Sequence, residues 1–143
     1  MKQTLSKGAN AQVSLMVETK MTAAAYARDE GEAYPEVLAT PIMIGEMERA
    51  CAAVLRPLLA TGEMSVGAKV EIAHTAPTPV GATVRTTATF LEQAGPLYWF
   101  EVVSEDPAGP IGRGRHARAI VPRQAIEDRA ADRSDKRAGG PHA

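Results

Sequence analysis

The sequence predicts an α+β fold, in which one long helix packs on an antiparallel sheet of about five strands. Three observations point to this fold. Polar and apolar residues alternate over residues 12–17, apolar residues recur at helical spacing from Pro41 to Leu59, and four strand-like segments follow at short intervals. One helix on one face of an antiparallel sheet is an α+β arrangement. The length of 143 residues suits one domain.

The first element is the strand over residues 12–17, where Val13, Leu15 and Val17 occupy alternate positions. Residues 20–39 follow as a long connection with a short helix-prone piece, Thr22–Arg28, and the loop DEGEAYPEV. A connection this long in a small domain is typical of a functional flap or a disordered link. We therefore expect residues 20–39 to form a lid-like segment.

The helix is the clearest element. Its apolar face carries Ile44, Met47, Cys51, Val54, Leu55 and Leu58, and the opposite face carries Glu46, Arg49, Ala53 and Arg56. Thr40 suits the N-cap and Pro41 the first helical position. Pro57 should bend or end the helix, and Thr61-Gly62 closes the segment.

Only strands are predicted between the helix and residue 121. They cover residues 66–75, 82–91, 97–104 and 111–121, with the turn-forming segments TAPTPVG, EQAGP and EDPAGP between them, which is typical of an antiparallel meander. In the first of these strands, one face holds Val66, Ala68, Val70, Ile72 and His74, and the other holds Lys69, Glu71 and Thr75.

The last residues form a charged tail. Residues 127–143 contain no large apolar side chain, so we expect them to be flexible and solvated, with at most one frayed helical turn. Residues 1–126 then form the single domain.

Composition excludes several classes of protein. With 16 basic and 17 acidic residues, the chain has no positive surplus for nucleic acid. The single cysteine, Cys51, excludes an internal disulfide framework and a Cys-rich zinc site, and His74, His116 and His142 lack metal-ligand spacing. The start lacks the apolar region of a signal peptide, and the apolar stretches are too short to span a bilayer. We expect a cytoplasmic protein without a metal site.

Three residues depart from the patterns around them. Glu48 lies on or beside the apolar face of the helix, where a carboxylate is costly unless it is paired. A boundary position or a structural ion pair would also explain it. His74 continues the apolar face of its strand toward the helix, as a satisfied core histidine also could. Thr40 is explained by capping alone, although a helix start also favours negative charge.

Together these residues supply a carboxylate, an imidazole and a hydroxyl, which is the inventory for activating water or a hydroxyl nucleophile. Gly67 adds a possible backbone donor near the same place. Arg118, like Arg113 and Arg115, is explained by a solvated strand face or by contact with an anionic substrate.

Three runs of sequence, YPEVLATPIMIGEMERAC, SVGAKVEIAHTAPTPVGATV and GRGRHARAIV, resemble the fluoroacetyl-CoA thioesterase family of hotdog-fold proteins. The resemblance covers Tyr34 to Val121. It implies a homodimeric acyl-CoA thioesterase with active sites at the subunit interface and no metal or redox cofactor. It assigns Thr40, Glu48 and His74 to the catalytic set, Gly67 to binding of the thioester carbonyl and Arg118 to the surroundings of the site.

The lid segment departs from the family in one respect. It keeps Tyr34 as a substrate-binding residue, but its other side chains are small or charged, so the resemblance does not carry a fluoroacetyl preference. Ala33, Ala39 and Ile42 are expected to line a pocket for another small acyl group.

Two alternative functions stay open at this point. One is hydrolysis or editing of an acyl group on an acyl carrier protein, and the other is a hotdog dimer that binds acyl-CoA without turnover. A hotdog dehydratase is disfavoured because the usual Asp/His motif is not found. A small acyl-CoA is the expected substrate, and neither nucleic acid nor a membrane is an expected partner.

Overall fold

The computed structural model describes residues 4–139, so His142 and the end of the predicted tail lie outside the described residues. Within these residues, two α-helices and five strands make up the fold. They are β1 (Asn10–Met16), α1 (Thr40–Leu55), β2 (Glu63–His74), β3 (Thr83–Ala94), β4 (Leu97–Asp106), β5 (Gly109–Pro122) and α2 (Arg123–Gly139). The α+β architecture predicted from the sequence is confirmed.

The five strands form one antiparallel sheet in the order β1-β3-β4-β5-β2. The predicted meander is confirmed for β3, β4 and β5, which pair in sequence order. The strands that flank α1 along the chain, β1 and β2, lie at the two opposite edges. The edge strand β2 is 12 residues long, and the free side of an edge strand of that length offers hydrogen-bonding groups to another chain.

The core lies between α1 and the sheet. It contains mainly aliphatic and sulfur-containing side chains, with Phe90 and Phe100 as its aromatic members, and among its fully buried residues are Met43, Met47, Cys51, Leu55, Val84, Val102 and Ile111. The helix ends at Leu55 and passes into a 3₁₀ turn, Arg56–Leu58, that contains Pro57. Proline cannot donate within a helix, so α1 ends before Pro57, which is earlier than the predicted Leu59.

Glu46 does not lie on the solvated face of α1 as predicted, because only 7% of its surface is exposed. The buried stripe of the helix is centred on Met43, Met47 and Ala50, and Glu46 lies one turn from two of them. Its carboxylate accepts two hydrogen bonds from the Arg49 guanidinium, at 3.1 and 2.9 Å. Burial of this charge is thus compensated by a partner in the next turn.

A β-bulge interrupts β2. Gly67 pairs with Arg118 and Lys69 pairs with Ala117, so Ala68 is the extra residue. The predicted alternation along β2 is wrong across the bulge. The extra residue reverses the face on which the side chains after it lie, relative to those before it. Gly67 and His74 therefore both face α1, although one lies before and the other after the reversal.

The lid-like segment contains two 3₁₀ turns, Thr19–Met21 and Ala24–Tyr26, in place of one helix-prone piece. The Thr22–Leu38 backbone bridge joins the two ends of the segment to each other, and the Val37–Pro79 bridge ties its second end to the loop between β2 and β3.

The charged tail begins as a regular helix, α2, and is not limited to the single helical turn that we expected. Its residues 127–135 are all exposed, as their composition predicts. Among the residues that the structure describes, no helix is long and apolar enough to cross a membrane.

Candidate active site

The hydroxyl of Thr40 and the imidazole of His74 form the first of two polar clusters. Thr40 is the first residue of α1 and His74 is the last residue of β2, and the distance from Oγ1 to Nδ1 is 2.7 Å. Thr40 is not the N-cap as predicted, because Ala39 occupies that position without a side-chain cap. The Thr40 hydroxyl is therefore free of a capping role. A hydroxyl within hydrogen-bond distance of an imidazole is the arrangement of an activated nucleophile and its base.

An open cleft of about 410 Å³ lies beside this pair. Its lining residues are mostly apolar and none is charged: Ala23, Pro35, Val37, Leu38, Thr40, His74, Thr75, Ala76 and Pro77. The Thr75 hydroxyl donates to the backbone oxygen of Ile111, so it is already satisfied. The cleft is suited to an uncharged group placed against Thr40 and His74.

Tyr34 is not among the residues that line this cleft, and 46% of its surface is exposed. The other residues expected in the pocket do not line it either. Ala33 is exposed, Ala39 is buried, and Ile42 packs against the core. The lid contributes instead through Ala23, Pro35, Val37 and Leu38. The backbone bridges described above hold Val37 and Leu38 in place.

The second cluster brings together Glu48, Gly67 and Arg118. The NH1 group of Arg118 donates to Glu48 Oε1 at 3.3 Å. Arg118 also donates from Nε to Ser65 Oγ at 2.9 Å and from NH2 to the Ser65 backbone oxygen at 2.8 Å. Arg118 is only 7% exposed, so its explanation as part of a solvated strand face is wrong.

Gly67 makes room for the Glu48 carboxylate. A Cβ atom at Gly67 would lie 2.7 Å from Glu48 Oε1 and 3.3 Å from His116 Cε1. Both separations are tighter than ordinary van der Waals contact. Glycine thus allows β2 to approach this carboxylate closely where it lies in the structure.

The two clusters are separate within one copy of the chain. Glu48 lies eight residues after Thr40 on α1, which corresponds to about 12 Å along the helix axis. The recorded side-chain hydrogen bonds of Glu48 lead to Arg118, and that of His74 leads to Thr40. A single copy therefore brings Thr40 and His74 together, and Glu48, Gly67 and Arg118 together, but does not join the two sets.

Sequence reasoning missed His116 and Ser65, which both contact Arg118. The His116 ring is buried, and this burial lowers its pKa below the ordinary value. Burial also raises the pKa of the Cys51 thiol to about 12, with the nearby Arg118 charge acting in the opposite direction. The signal available in the sequence was the position of His116 two residues before Arg118, on the same face of one strand.

Comparison with known families gives a match over residues 17–124 to the family described as fluoroacetyl-CoA-specific thioesterase. The chain is also 41% identical, over 88 residues, to a fluoroacetyl-CoA thioesterase from Streptantibioticus cattleyicolor. That alignment covers 62% of this chain and 63% of the relative, so the matched region spans less than two thirds of the relative's length.

Solved structures give a similar result. A variant of the fluoroacetyl-CoA-specific thioesterase superposes with a TM-score of 0.84 at 32% identity, covering 92% of this chain and 99% of that one. A complex of that thioesterase variant with fluoroacetate and CoA gives 0.79 at 34% identity, covering 85% and 99% of the two chains. A thioesterase-superfamily member from Thermus thermophilus gives 0.84 at 27% identity, covering 97% and 99%. The hotdog fold implied by the sequence resemblance is confirmed.

Proposed function

The chain belongs to the fluoroacetyl-CoA-specific thioesterase family, and we propose that it is an enzyme that hydrolyses an acyl-CoA thioester to a free carboxylic acid and CoA. The observation that carries this proposal is the 2.7 Å contact between Thr40 Oγ1 and His74 Nδ1 at the mouth of an apolar cleft. Hydrolysis of a thioester needs an activated nucleophile next to a place for the acyl group, and this arrangement provides both.

In the proposed reaction, His74 is the general base. Its Nδ1 takes a proton from the nucleophile as the nucleophile adds to the thioester carbonyl carbon. The C–S bond then breaks, and His74 returns the proton to the departing CoA sulfur. Thr40 either positions an attacking water or itself attacks the carbonyl carbon. In the second case an acyl-Thr40 ester forms as CoA leaves, and one water then hydrolyses this ester to release the acid and restore the Thr40 hydroxyl. Mass spectrometry of enzyme quenched during turnover separates the two routes.

Glu48, Gly67 and Arg118 complete the proposed site. Glu48 activates or orients the water, and Arg118 holds the carboxylate in place through the 3.3 Å contact. The backbone N–H of Gly67 stabilises the negative charge that develops on the thioester oxygen, as expected of an oxyanion donor. These roles use side-chain and backbone groups of the protein, so the proposed mechanism requires no metal or redox cofactor.

We propose that two copies of the chain form the complete site. The edge strand β2 is unpaired along its outer side, and Val70 in its middle is 48% exposed. Antiparallel pairing of two β2 strands, centred on Glu71 with the bulged Ala68 left out of the register, places His74 of one copy opposite the partner's Gly67. A two-fold dimer of this kind covers Val70, removes a free sheet edge and brings the two clusters together twice.

The acyl group proposed for the cleft is a short uncharged aliphatic chain. The cleft is lined by no lysine or arginine, so a carboxylate at the end of the acyl group would lose hydration there without gaining a salt bridge to either residue type. We also propose a cytoplasmic enzyme, because a buried cysteine thiol without a second cysteine suits a reducing compartment.

The test of substrate class compares CoA release from butyryl-CoA and succinyl-CoA, which match in chain length and differ in a terminal carboxylate. We expect a preference of at least about tenfold for butyryl-CoA. Ala23→Leu should shift the preference toward acetyl-CoA, whereas the control Ala108→Leu, at an exposed position that does not line the cleft, should not. Equal rates on both esters would contradict the proposed class.

The same assay separates this proposal from its two alternatives. Binding of butyryl-CoA without CoA release would identify a non-catalytic acyl-CoA-binding protein. Hydrolysis of a butyryl group on acyl carrier protein, without hydrolysis of the CoA ester, would identify an enzyme of carrier-bound substrates. Release of CoA from the free ester supports the acyl-CoA thioesterase.

A further inference from the structure

His116 is a buried histidine for which the proposed reaction has no role. It lies on β5, only 1% of its surface is exposed, and both of its ring nitrogens have a partner. Nδ1 lies 2.7 Å from the backbone oxygen of Lys69, and Nε2 lies 3.1 Å from NH1 of Arg118. A histidine packed as a mere hydrophobic group would not need this pair of directed contacts.

The two partners determine the protonation state of the ring. A carbonyl oxygen only accepts hydrogen bonds, so Nδ1 must carry a hydrogen to bond Lys69. A guanidinium only donates, so Nε2 must present its lone pair to Arg118. The neutral Nδ1–H form alone satisfies both contacts. Burial, which lowers the pKa of His116, favours the same neutral form.

The ring connects two features that shape the second cluster. On one side, Lys69 is the residue that resumes the strand pairing after the bulge beside Gly67. On the other side, Arg118 is held by Ser65 through Nε and NH2, and its NH1 group points to both His116 and Glu48. His116 Cε1 also lies 3.3 Å from the place where a Gly67 side chain would begin.

We infer that His116 is a positioning residue that holds Arg118 against Glu48 and maintains the bulge that turns Gly67 toward the same carboxylate. It acts through these groups and does not touch the substrate. The inference rests on the proposed function in assuming that Glu48 and Gly67 serve the hydrolysis.

Three substitutions test the two contacts of His116 separately. His116→Gln places a side-chain oxygen near the Nε2 position, where it can accept from Arg118. His116→Asn places an amide N–H near the Nδ1 position, where it can donate to Lys69. His116→Leu has a side chain of similar size that is apolar and makes neither contact.

We expect His116→Leu to lower kcat about 10²-fold with KM changed by no more than about threefold, because the catalytic groups are displaced while the acyl cleft is intact. His116→Gln and His116→Asn should each recover part of the loss. Melting temperatures of all three variants control for folding. A folded His116→Leu variant with unchanged kcat, or with a change in KM alone, would overturn the inference.

The ring tautomer gives a readout that does not depend on activity. Nitrogen-15 NMR of the wild-type imidazole near pH 7 should show a neutral ring protonated at Nδ1, and Arg118→Met should shift the Nε2 resonance. A ring protonated at Nε2, or at both nitrogens, would overturn the inference. If the wild-type protein hydrolyses no acyl-CoA, the proposed function fails, and the NMR result still decides whether the contacts of His116 are those described.

Discussion

Thr40 and His74 meet through a single 2.7 Å contact between the start of α1 and the end of β2. The two residues lie at the ends of a helix and a strand that belong to the folded body of the protein, so neither side chain depends on a flexible loop for its position. The hydroxyl and the imidazole face an uncharged cleft, and the Glu48 carboxylate lies two helical turns away beside Arg118. The predictions below follow from this separation into two clusters.

Removal of the Thr40 hydroxyl should reduce catalysis without loss of the fold. We expect Thr40→Val, which keeps the shape of the side chain, to lower kcat/KM about 10²-fold, because no hydroxyl then contacts His74. Thr40→Ser should stay within about tenfold of wild type. The matched control is Thr83→Val at an exposed position on β3. A Thr40→Val variant as active as that control would contradict the role proposed for this hydroxyl.

Mixing two inactive variants should restore activity if the site is shared between copies. In a dimer of one His74→Ala chain and one Glu48→Gln chain, one of the two shared sites contains both native residues. Random pairing of equal amounts should give about a quarter of the wild-type activity, since half of the dimers are mixed. If each site lay within one chain, every site would carry one substitution and the mixture would stay inactive.

Gly67→Ala should displace the Glu48 carboxylate while the protein stays folded. The new Cβ would lie 2.7 Å from Oε1, which is the end of a flexible side chain and can move. We expect kcat to fall at least about tenfold, since a small displacement of a catalytic group is costly. Kinetics and a thermal melt of the same sample check this.

The control for that substitution is Gly45→Ala, within α1. Nothing lies within 4 Å of the Cβ position at Gly45. Alanine in a helix interior should stabilise the protein by about 0.5–1 kcal/mol without loss of activity. A loss of activity in Gly45→Ala equal to that in Gly67→Ala would contradict the explanation based on Glu48.

Stability should fall in mild acid partly because of His116. Burial lowers the pKa of this imidazole below its ordinary value of 6.5, so the unfolded chain binds more protons than the folded protein as the pH falls below that value. The free energy of unfolding therefore decreases with falling pH, and the contribution is fully present above pH 6.5. Urea unfolding at about pH 7.5 and about pH 5.5 should show that the free energy of unfolding decreases less for His116→Gln than for wild type. Equal decreases in the free energy of unfolding of the two proteins would contradict the contribution assigned to His116.

Much of the fold was predictable because its signals are local. The apolar spacing of α1, the strand segments and the turns between them are each contained in a short stretch of sequence, and the structure places all of them in the predicted order. The unusual residues Glu48, His74 and Thr40 were identifiable because each departs from the pattern of its own element. Arg118 was identifiable as a site residue only through the family resemblance, because an arginine on a strand is ordinarily solvated.

The features that the sequence did not predict depend on contacts between distant parts of the chain. The bulge after Gly67 reverses the side-chain alternation of β2, and nothing in the spacing of that strand indicates it. His116 bonds the backbone of Lys69, which lies 47 residues earlier, so its role appears only when β2 and β5 are paired. The helical spacing predicts Glu46 on the solvated face, which is wrong. The buried stripe of α1 also includes Glu46, which lies one turn from Met43 and from Ala50.

The most direct test of the proposed function is release of CoA from butyryl-CoA by the wild-type protein, His74→Ala and Glu48→Gln, followed with a thiol reagent. Cys51 does not interfere, because burial raises the pKa of its thiol to about 12 and keeps it unreactive in the folded protein. We predict turnover by the wild type and a loss of at least about 10²-fold in both folded variants. Absence of turnover by the wild type, or full activity in His74→Ala, would contradict the account.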